Sequence, residues 1–300
     1  SRAAAAGGIT SYMDMPNTQP ATTTRALLAQ KFAAATDRSF ANYSFYLGAT
    51  NDNLEEIKKI APASCCGIKV FMGASTGNLL VDDPKALENI FSEAATLIAT
   101  HCEDTPTILA NETRARGVYG EDVPMSEHPN IRSVEACFRS SSLAVDLARR
   151  HGSRLHILHL TSAKEMSLLS DRPLEEKRIT AEVCVHHLYF DQFDYSRHGT
   201  RIKCNPAIKT AEDRQALLDA VCENKIDVIA TDHAPHTLAE KQNLYFQAPS
   251  GLPLVQHALI SLLEHYHEGV FTLPLIAEKT AHAPARRQAR ARSSRNISQP

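Results

Sequence analysis

The segment Asp232-His233-Ala234-Pro235-His236 places a carboxylate and two imidazoles directly after an apolar run at 226–231. The run has the composition of a buried strand, so the strand ends by presenting these groups. Carboxylate and imidazole both bind divalent metal ions, and a carboxylate beside a metal can also move a proton. We interpret Asp232 as a metal ligand and the acid/base of a metal-dependent hydrolase. An aspartate that only caps the next helix is the alternative.

Two other apolar runs, at 97–100 and 155–158, lead directly to a histidine, His101 and His159 respectively. A neutral imidazole is a good zinc ligand. One histidine at a strand end is more often structural than a ligand. Two at equivalent places, with Asp232 at a third, favour a shared metal site.

Lys69 lies within the apolar segment Gly67-Ile68-Lys69-Val70-Phe71-Met72. Burial of an unpaired ammonium lowers its pKa, and the neutral amine becomes nucleophilic. Such an amine can capture CO₂ as a carbamate, whose two oxygens can bridge two metal ions. A lysine held by a salt bridge inside the fold is an equally good interpretation of this segment alone.

Strands and helices must alternate to bring these residues together. Apolar runs bounded by turn residues predict seven strands near 9–15, 43–49, 67–71, 97–102, 154–160, 179–185 and 226–231. Helical periodicity predicts helices over 24–36, 53–60, 84–95, 131–151, 163–169, 211–223 and 253–267. This alternation indicates the α/β class, and the length favours a (β/α)₈ TIM-type barrel. Because only seven strands are found, we expect the first strand to be missing and the chain to be a fragment.

Charge and cysteine content narrow the classes of partner. The net charge is −2, and without the arginines near the end of the chain 27 basic and 34 acidic side chains remain. A mildly acidic body argues against nucleic acid as a partner, and no apolar stretch is long enough for a membrane span. Seven cysteines without a signal-peptide pattern predict reduced thiols and a cytoplasmic protein. The oligomeric state stays open, a homo-oligomer included.

The end of the chain differs in composition from the rest. Residues 285–300 are rich in arginine and have no apolar periodicity, so we expect a disordered tail there. Residues 1–284 are then the incomplete hydrolase barrel. The connection at 111–130, rich in charge, is expected to be an irregular loop.

The motifs together resemble those of the amidohydrolase superfamily, and within it the dihydroorotases, over about residues 3–285. The matching segments stand in order along the chain: Gly7-Gly8-Ile9-Thr10, Asp14-Met15-Pro16-Asn17-Thr18, Gly67-Ile68-Lys69-Val70-Phe71-Met72-Gly73, His101-Cys102-Glu103-Asp104, Cys204-Asn205-Pro206 and Asp232-His233-Ala234-Pro235-His236.

The resemblance implies a role for each matching residue. Lys69 corresponds to a carboxylated lysine that bridges two zinc ions, His101 and His159 to ligands of one ion, and Asp232 to a ligand of the other. Three further residues correspond to substrate-binding positions: Asn17, Asn205 and His236. The implied reaction is the reversible hydrolysis of dihydroorotate to N-carbamoyl-aspartate in pyrimidine biosynthesis, with a hydroxide that bridges the two metal ions as nucleophile and Asp232 as acid/base.

The sequence departs from the family pattern at its N-terminal end. The family carries a His-x-His pair on its first strand, closely followed by an arginine that holds the substrate carboxylate, and this strand is missing here. We therefore expect one metal site to be compromised and the chain as given to be inactive or very weak. Dihydropyrimidinase (hydantoinase) and allantoinase are alternative activities, although the 14–18 motif favours dihydroorotase. A non-catalytic dihydroorotase-like scaffold is the alternative of another class.

Several other residues lie near the predicted strand ends. His186 and His187 follow a strand, and a packing role is preferred over lining the site. Three cysteines lack the paired spacing of a zinc knuckle and are interpreted as small buried side chains: Cys102, Cys184 and Cys204.

Overall fold

A sheet of seven parallel strands forms the centre of the fold. In the computed structural model, which describes residues 1–73 and 77–293, the strands pair in chain order from β1 to β7. Their bounds are β1 (Ser11–Asp14), β2 (Asn42–Gly48), β3 (Gly67–Phe71), β4 (Ile98–His101), β5 (Leu155–Ile157), β6 (Ile179–Cys184) and β7 (Val228–Ala230). All six neighbouring pairs are parallel, and β1 and β7 are the edge strands.

Helices connect the strands, as parallel pairing requires. The α-helices are α1 (Arg2–Ala6), α2 (Arg25–Ala35), α3 (Leu54–Lys58), α4 (Pro84–Glu93), α5 (Thr105–Tyr119), α6 (His128–Ile131), α7 (Val134–His151), α8 (Val185–Tyr189), α9 (Tyr195–His198), α10 (Ala211–Cys222), α11 (Leu238–Lys241), α12 (Ala258–His267), α13 (Leu273–Ala277) and α14 (Ala283–Ser293). Short 3₁₀ turns occur at Pro62–Ser64, Gly77–Leu79, Met125–Glu127, Ala163–Leu168, Leu174–Glu176, Gln192–Asp194 and Gly199–Ile202, and Glu278–His282 forms a π-helical turn. No described helix has the length and apolar character needed to cross a bilayer.

Local sequence accounts for these boundaries. Every residue of β3 and β4 is buried, which explains their continuous apolar runs. Helices start where a polar side chain caps them: the Asp104 side chain accepts a hydrogen bond from the Thr107 amide before α5, and Thr210 accepts one from the Asp213 amide before α10. The main apolar core lies between the sheet and the surrounding helices.

The register brings the predicted residues to one edge of the sheet. Lys69 pairs with Ala99, and Phe71 pairs with His101, the last residue of β4. His159 follows the end of β5 by two residues, and Asp232 follows the end of β7 by two residues. Because parallel strands end at the same edge, we call this edge the carboxyl rim.

The seven predicted strands are all confirmed, with small shifts at their ends. The segment predicted as a helix over 163–169 forms a 3₁₀ turn at Ala163–Leu168 instead. The expectation of an irregular loop at 111–130 is wrong for its first half, because α5 continues to Tyr119. This helix buries only Ile108 and Ala115, so it has no apolar stripe for periodicity to detect.

The expected disordered tail also differs from the structure. Residues 285–293 belong to α14, which crosses the expected boundary after residue 284, while 294–300 lie outside the described residues. Arg287 is 4% exposed, and its Nη2 donates to the Leu155 carbonyl oxygen at 2.6 Å. Arginine is a good helix former, which favours a helix in this segment. The contact of Arg287 with the backbone of β5 cannot be recognised from composition alone.

Candidate active site

Lys69 lies in the middle of β3 and is 2% exposed. Burial lowers the pKa of its ammonium, and the carboxylates of Asp232 and Glu182 oppose this effect in part. Its Nζ lies 4.2 Å from the centroid of the Phe71 ring. No described residue forms a direct ion pair with Lys69, so the surroundings are those of a lysine whose charge is only partly balanced.

Asp232 lies on the rim after β7, close enough to Lys69 for the two charges to interact. It keeps an exposed surface, although protein atoms surround its carboxyl group closely enough to desolvate it. Desolvation raises the pKa of the carboxyl group, the Lys69 ammonium lowers it, and Glu182 raises it further. Asp232 can therefore take up and release a proton closer to neutral pH than an ordinary aspartate.

His101 and His159 meet at the rim. His101 Nδ1 and His159 Nε2 are 3.0 Å apart, and the two residues are 4% and 5% exposed. Burial lowers the pKa of both imidazoles, so both are neutral at pH 7. The charge on Lys69 also reaches both rings. His101 and His159 are thus in contact, and the charge of Lys69 reaches both of them and Asp232.

Glu103 and Arg132 hold His101 in place. His101 Nε2 lies 2.8 Å from Glu103 Oε2, and Arg132 Nη1 donates to the same oxygen at 2.6 Å. Burial raises the pKa of the Glu103 carboxyl, but Arg132 and His101 together lower it to about 2, so Glu103 is ionised. An ionised acceptor places the His101 proton on Nε2 and leaves the Nδ1 lone pair facing His159.

The backbone is strained at two of the predicted residues. His159 has φ 36° and Asp232 has φ 43°, in the left-handed region that residues other than glycine rarely adopt. Among the described residues, only Asp37 and Asn224 are other non-glycine residues with positive φ. Such strain persists where the surrounding structure fixes a side chain, and it is common at functional sites.

The predicted substrate-binding residues divide into two groups. Asn205 Oδ1 accepts a hydrogen bond from Ser250 Oγ at 3.1 Å, and His236 Nε2 lies 3.2 Å from the Ser250 carbonyl oxygen. The 248–252 loop therefore joins Asn205 to His236. Asn17 is exposed just beyond β1, and no described hydrogen bond connects it to the other two.

Gly251 lets this loop approach the segment after β7. A Cβ atom at Gly251, whose φ is +137°, would lie 2.5 Å from the Ala234 Cβ. A side chain there would push apart the two segments that carry Ser250 and His236.

Sequence reasoning missed the residues that support the site. Glu103 had a detectable signal, since a residue two positions after a strand-end histidine can lie on the same side as that histidine. Arg132 is 29 residues further along the chain and gave no signal. The carboxylate of Glu182, whose charge reaches Lys69 and Asp232, is paired with His156 at 3.1 Å.

The chain is similar to known cyclic amide hydrolases. No protein-family profile matches the chain. It is 34% identical to an allantoinase of Solibacter usitatus over 96% of its length, and 32% identical to a dihydroorotase of Methanosarcina mazei over 95%. The L-hydantoinase (dihydropyrimidinase) of Arthrobacter aurescens superposes with a TM-score of 0.90 at 26% identity, over 96% of this chain. The chain spans 64%, 63% and 65% of the lengths of these three proteins.

Proposed function

We propose that this chain carries the hydrolytic site of an enzyme that opens a cyclic amide, with dihydroorotate as substrate, because it is similar to cyclic amidohydrolases in sequence and in its parallel α/β fold. The observation that supports this best is the contact between His101 and His159 at the carboxyl rim, within electrostatic reach of the buried Lys69, whose charge also interacts with Asp232. The chain spans less than two thirds of the length of its relatives, so this proposal concerns the activity of the protein that contains it.

The residues present fit a divalent cation. The His101 Nδ1 lone pair and His159 Nε2 converge, and His159 Nδ1 has no hydrogen-bond partner among the described residues. We propose that His101, His159 and Asp232 would hold zinc, with Lys69 contributing as a CO₂-derived carbamate. The chemistry that the metal supplies, when bound, is polarisation of the amide carbonyl and activation of water.

The protein side chains then handle the proton and orient the substrate. Asp232 accepts the proton released as water attacks the carbonyl carbon, and it delivers that proton to the ring nitrogen when the C–N bond breaks. Its raised pKa suits both steps. Glu103 holds the His101 ring in one orientation through the Nε2 proton.

The substrate is held by the polar groups around the 248–252 loop. Asn205 and His236 lie on either side of Ser250, and an amide and an imidazole there can donate to the carboxylate and carbonyl oxygens of dihydroorotate. Asn17, just beyond the end of β1, would also contact the substrate, from the opposite side of the rim. Allantoin is the second candidate substrate, because the relative with 34% identity is an allantoinase.

The test is turnover of dihydroorotate, allantoin and hydantoin by the complete gene product loaded with zinc, each measured by ring opening. We expect dihydroorotate to have the highest kcat/KM. Asp232→Asn should lower kcat by roughly 10²–10⁴-fold, as loss of an acid/base does. Lys69→Ala should lose activity together with bound zinc. The 300 residues alone should turn over little, because they span less than two thirds of the length of the relatives they match.

The matched control is Lys177→Met. Lys177 is also a buried lysine, but it pairs with Asp227 at 2.8 Å near the start of β6 and β7, away from the rim. This variant should lose stability and keep its kcat per folded molecule. Turnover of none of the three substrates by the zinc-loaded protein would overturn the proposal and favour a non-catalytic scaffold.

We further propose a reducing, cytoplasmic setting and a small-molecule substrate as the main partner. All seven cysteines are free thiols, and six of them are buried. Free thiols in this number are typical of reducing compartments.

A further inference from the structure

A second group of potential metal ligands lies where β6 ends and α8 begins. Cys184 is the last residue of β6, and His186 and His187 lie in the first turn of α8. One ligand atom from each of the three lies within 4.8 Å of the other two. The residues are 0%, 2% and 3% exposed, so the group is closed to solvent.

His186 is the unusual member of this group. Neither of its ring nitrogens has a hydrogen-bond partner within residues 1–73 and 77–293, and the same holds for His187 Nδ1. A neutral imidazole has one donor and one acceptor, and each one left unpaired in the interior costs about 1–3 kcal/mol. Buried polar atoms without partners are rare in folded proteins and call for an explanation such as a bound ion.

Cys204 supplies a fourth potential ligand from another part of the chain. Its Sγ lies 3.8 Å from His187 Nε2, and the residue is 1% exposed. His187 Nε2 also lies 3.1 Å from the Pro206 carbonyl oxygen, and Cys204 Sγ lies 3.3 Å from the same atom. Two thiols and two imidazoles are the donor set of a closed tetrahedral zinc site.

We propose that Cys184, His186, His187 and Cys204 form a buried structural site for zinc or a similar borderline-soft divalent cation. As the cation binds, each thiol releases its proton to solvent and forms a sulfur–metal bond, and each histidine donates a nitrogen lone pair. Two thiolates balance the charge of the dication, so no net charge is buried. The ligand atoms of Cys184, His186 and His187 already lie within 4.8 Å of one another, and Cys204 Sγ must move toward them to complete the set at bonding distances of about 2.0–2.3 Å.

The site would fasten the start of α8 to the 204–206 segment. Asn205, proposed above to contact substrate, lies in this segment, so the cation would hold that side of the rim in place. The site shares no ligand with the group of Lys69, His101, His159 and Asp232. Its existence does not depend on the proposed hydrolase activity.

Anaerobic titration of the 300-residue chain with Co²⁺, in the presence of a phosphine reductant, tests the proposal. Cobalt bound to thiolate has a charge-transfer absorption in the near ultraviolet, which cobalt bound only to nitrogen and oxygen lacks. We expect this absorption in the unmodified chain and its loss in Cys184→Ser. Cys204→Ser and His186→Phe should each weaken Co²⁺ binding by more than ~10–100-fold. That is the loss expected when a group that only hydrogen-bonds to a metal ligand is removed, and loss of a ligand itself should cost more.

Two controls separate this site from the proposed hydrolytic one. Cys102→Ser removes another buried thiol, one that contacts Thr100 beside His101, and should leave the absorption unchanged. His101→Ala removes a ligand of the hydrolytic site and should also leave it unchanged. Absence of the absorption in the folded unmodified chain, its survival in Cys184→Ser, or its loss in Cys102→Ser would each overturn the proposal. If Cys184→Ser does not fold, unchanged Co²⁺ affinity in His186→Phe overturns it equally.

Discussion

Two groups of ligating side chains lie at the same rim, and they differ in what surrounds them. In the group containing His101, an ionised Glu103 and Arg132 fix one ring, and its other nitrogen faces His159. In the group containing His186, that ring has no hydrogen-bond partner among the described residues. The histidines of both groups are almost fully buried, so burial of the rings does not distinguish the groups. Protein side chains therefore fix the ring of His101, whereas no described protein group fixes the ring of His186 by a hydrogen bond.

The largest expected effect is that of removing Arg132. Arg132→Met leaves the fully buried Glu103 carboxylate with His101 as its remaining partner. Breaking a buried ion pair from one side costs about 3–5 kcal/mol, so the free energy of unfolding should fall by that order in urea denaturation at pH 7. Arg139→Met is the matched control, because Arg139 pairs with Glu135 on the surface and such pairs contribute about 0–1 kcal/mol. Equal losses in both variants would show that Glu103 does not depend on Arg132.

The second-largest effect is expected from acid, which should remove the stabilisation that the ionised Glu103 gives to the group containing His101. Arg132 and His101 lower the pKa of Glu103 from 4.5 to about 2, against the opposing effect of burial. The unfolded chain therefore binds a proton at higher pH than the folded chain, so this stabilisation is present above about pH 4.5 and is lost as pH falls toward 2. The stability difference between the unmodified chain and Glu103→Gln should shrink over this range. A difference that stays constant with pH would contradict the shifted pKa.

The smallest effects come from a matched pair of histidine substitutions in the metal-free chain. His101→Phe deprives Glu103 and His159 of a partner and should cost about 1–3 kcal/mol. His186→Phe removes no hydrogen bond and eliminates two buried ring nitrogens that lack partners among the described residues, so the metal-free variant should be at least as stable as the unmodified chain. Thermal unfolding after treatment with a chelator measures both. A larger loss of stability in His186→Phe than in His101→Phe would show that His186, and not His101, is the ring held by protein groups.

The strands could be predicted from the sequence because their physical signal is local. Buried parallel strands are continuous apolar runs, and β3, buried at every residue, was predicted with its observed bounds. The pattern did not predict the whole of α5 because this helix lies mostly at the surface. It did not predict the helix over residues 285–293 because arginine composition does not show that Arg287 reaches the Leu155 carbonyl. The notion of an incomplete TIM-type barrel agrees with the sheet order and with the hydantoinase superposition.

The site could be predicted only where a ligand follows its strand directly. His101, His159 and Asp232 all stand at or just after a strand end, and the structure brings them to the same rim. Their proposed roles, like the carbamate on Lys69, stay predictions. Arg132 and Cys204 reach their partners across long connections, and no spacing in the sequence indicates such contacts.

The pairing of every strand with the next one in the chain also permits the sheet to assemble in chain order during synthesis. A chain emerging from the ribosome can add β4 to β3 and then β5 to β4, without waiting for distant segments. Lys69 is placed first, His101 and His159 meet only when β5 docks, and Asp232 arrives last with β7. We therefore expect the two imidazoles to come together on nascent chains well before the carboxylate that completes the group has been translated.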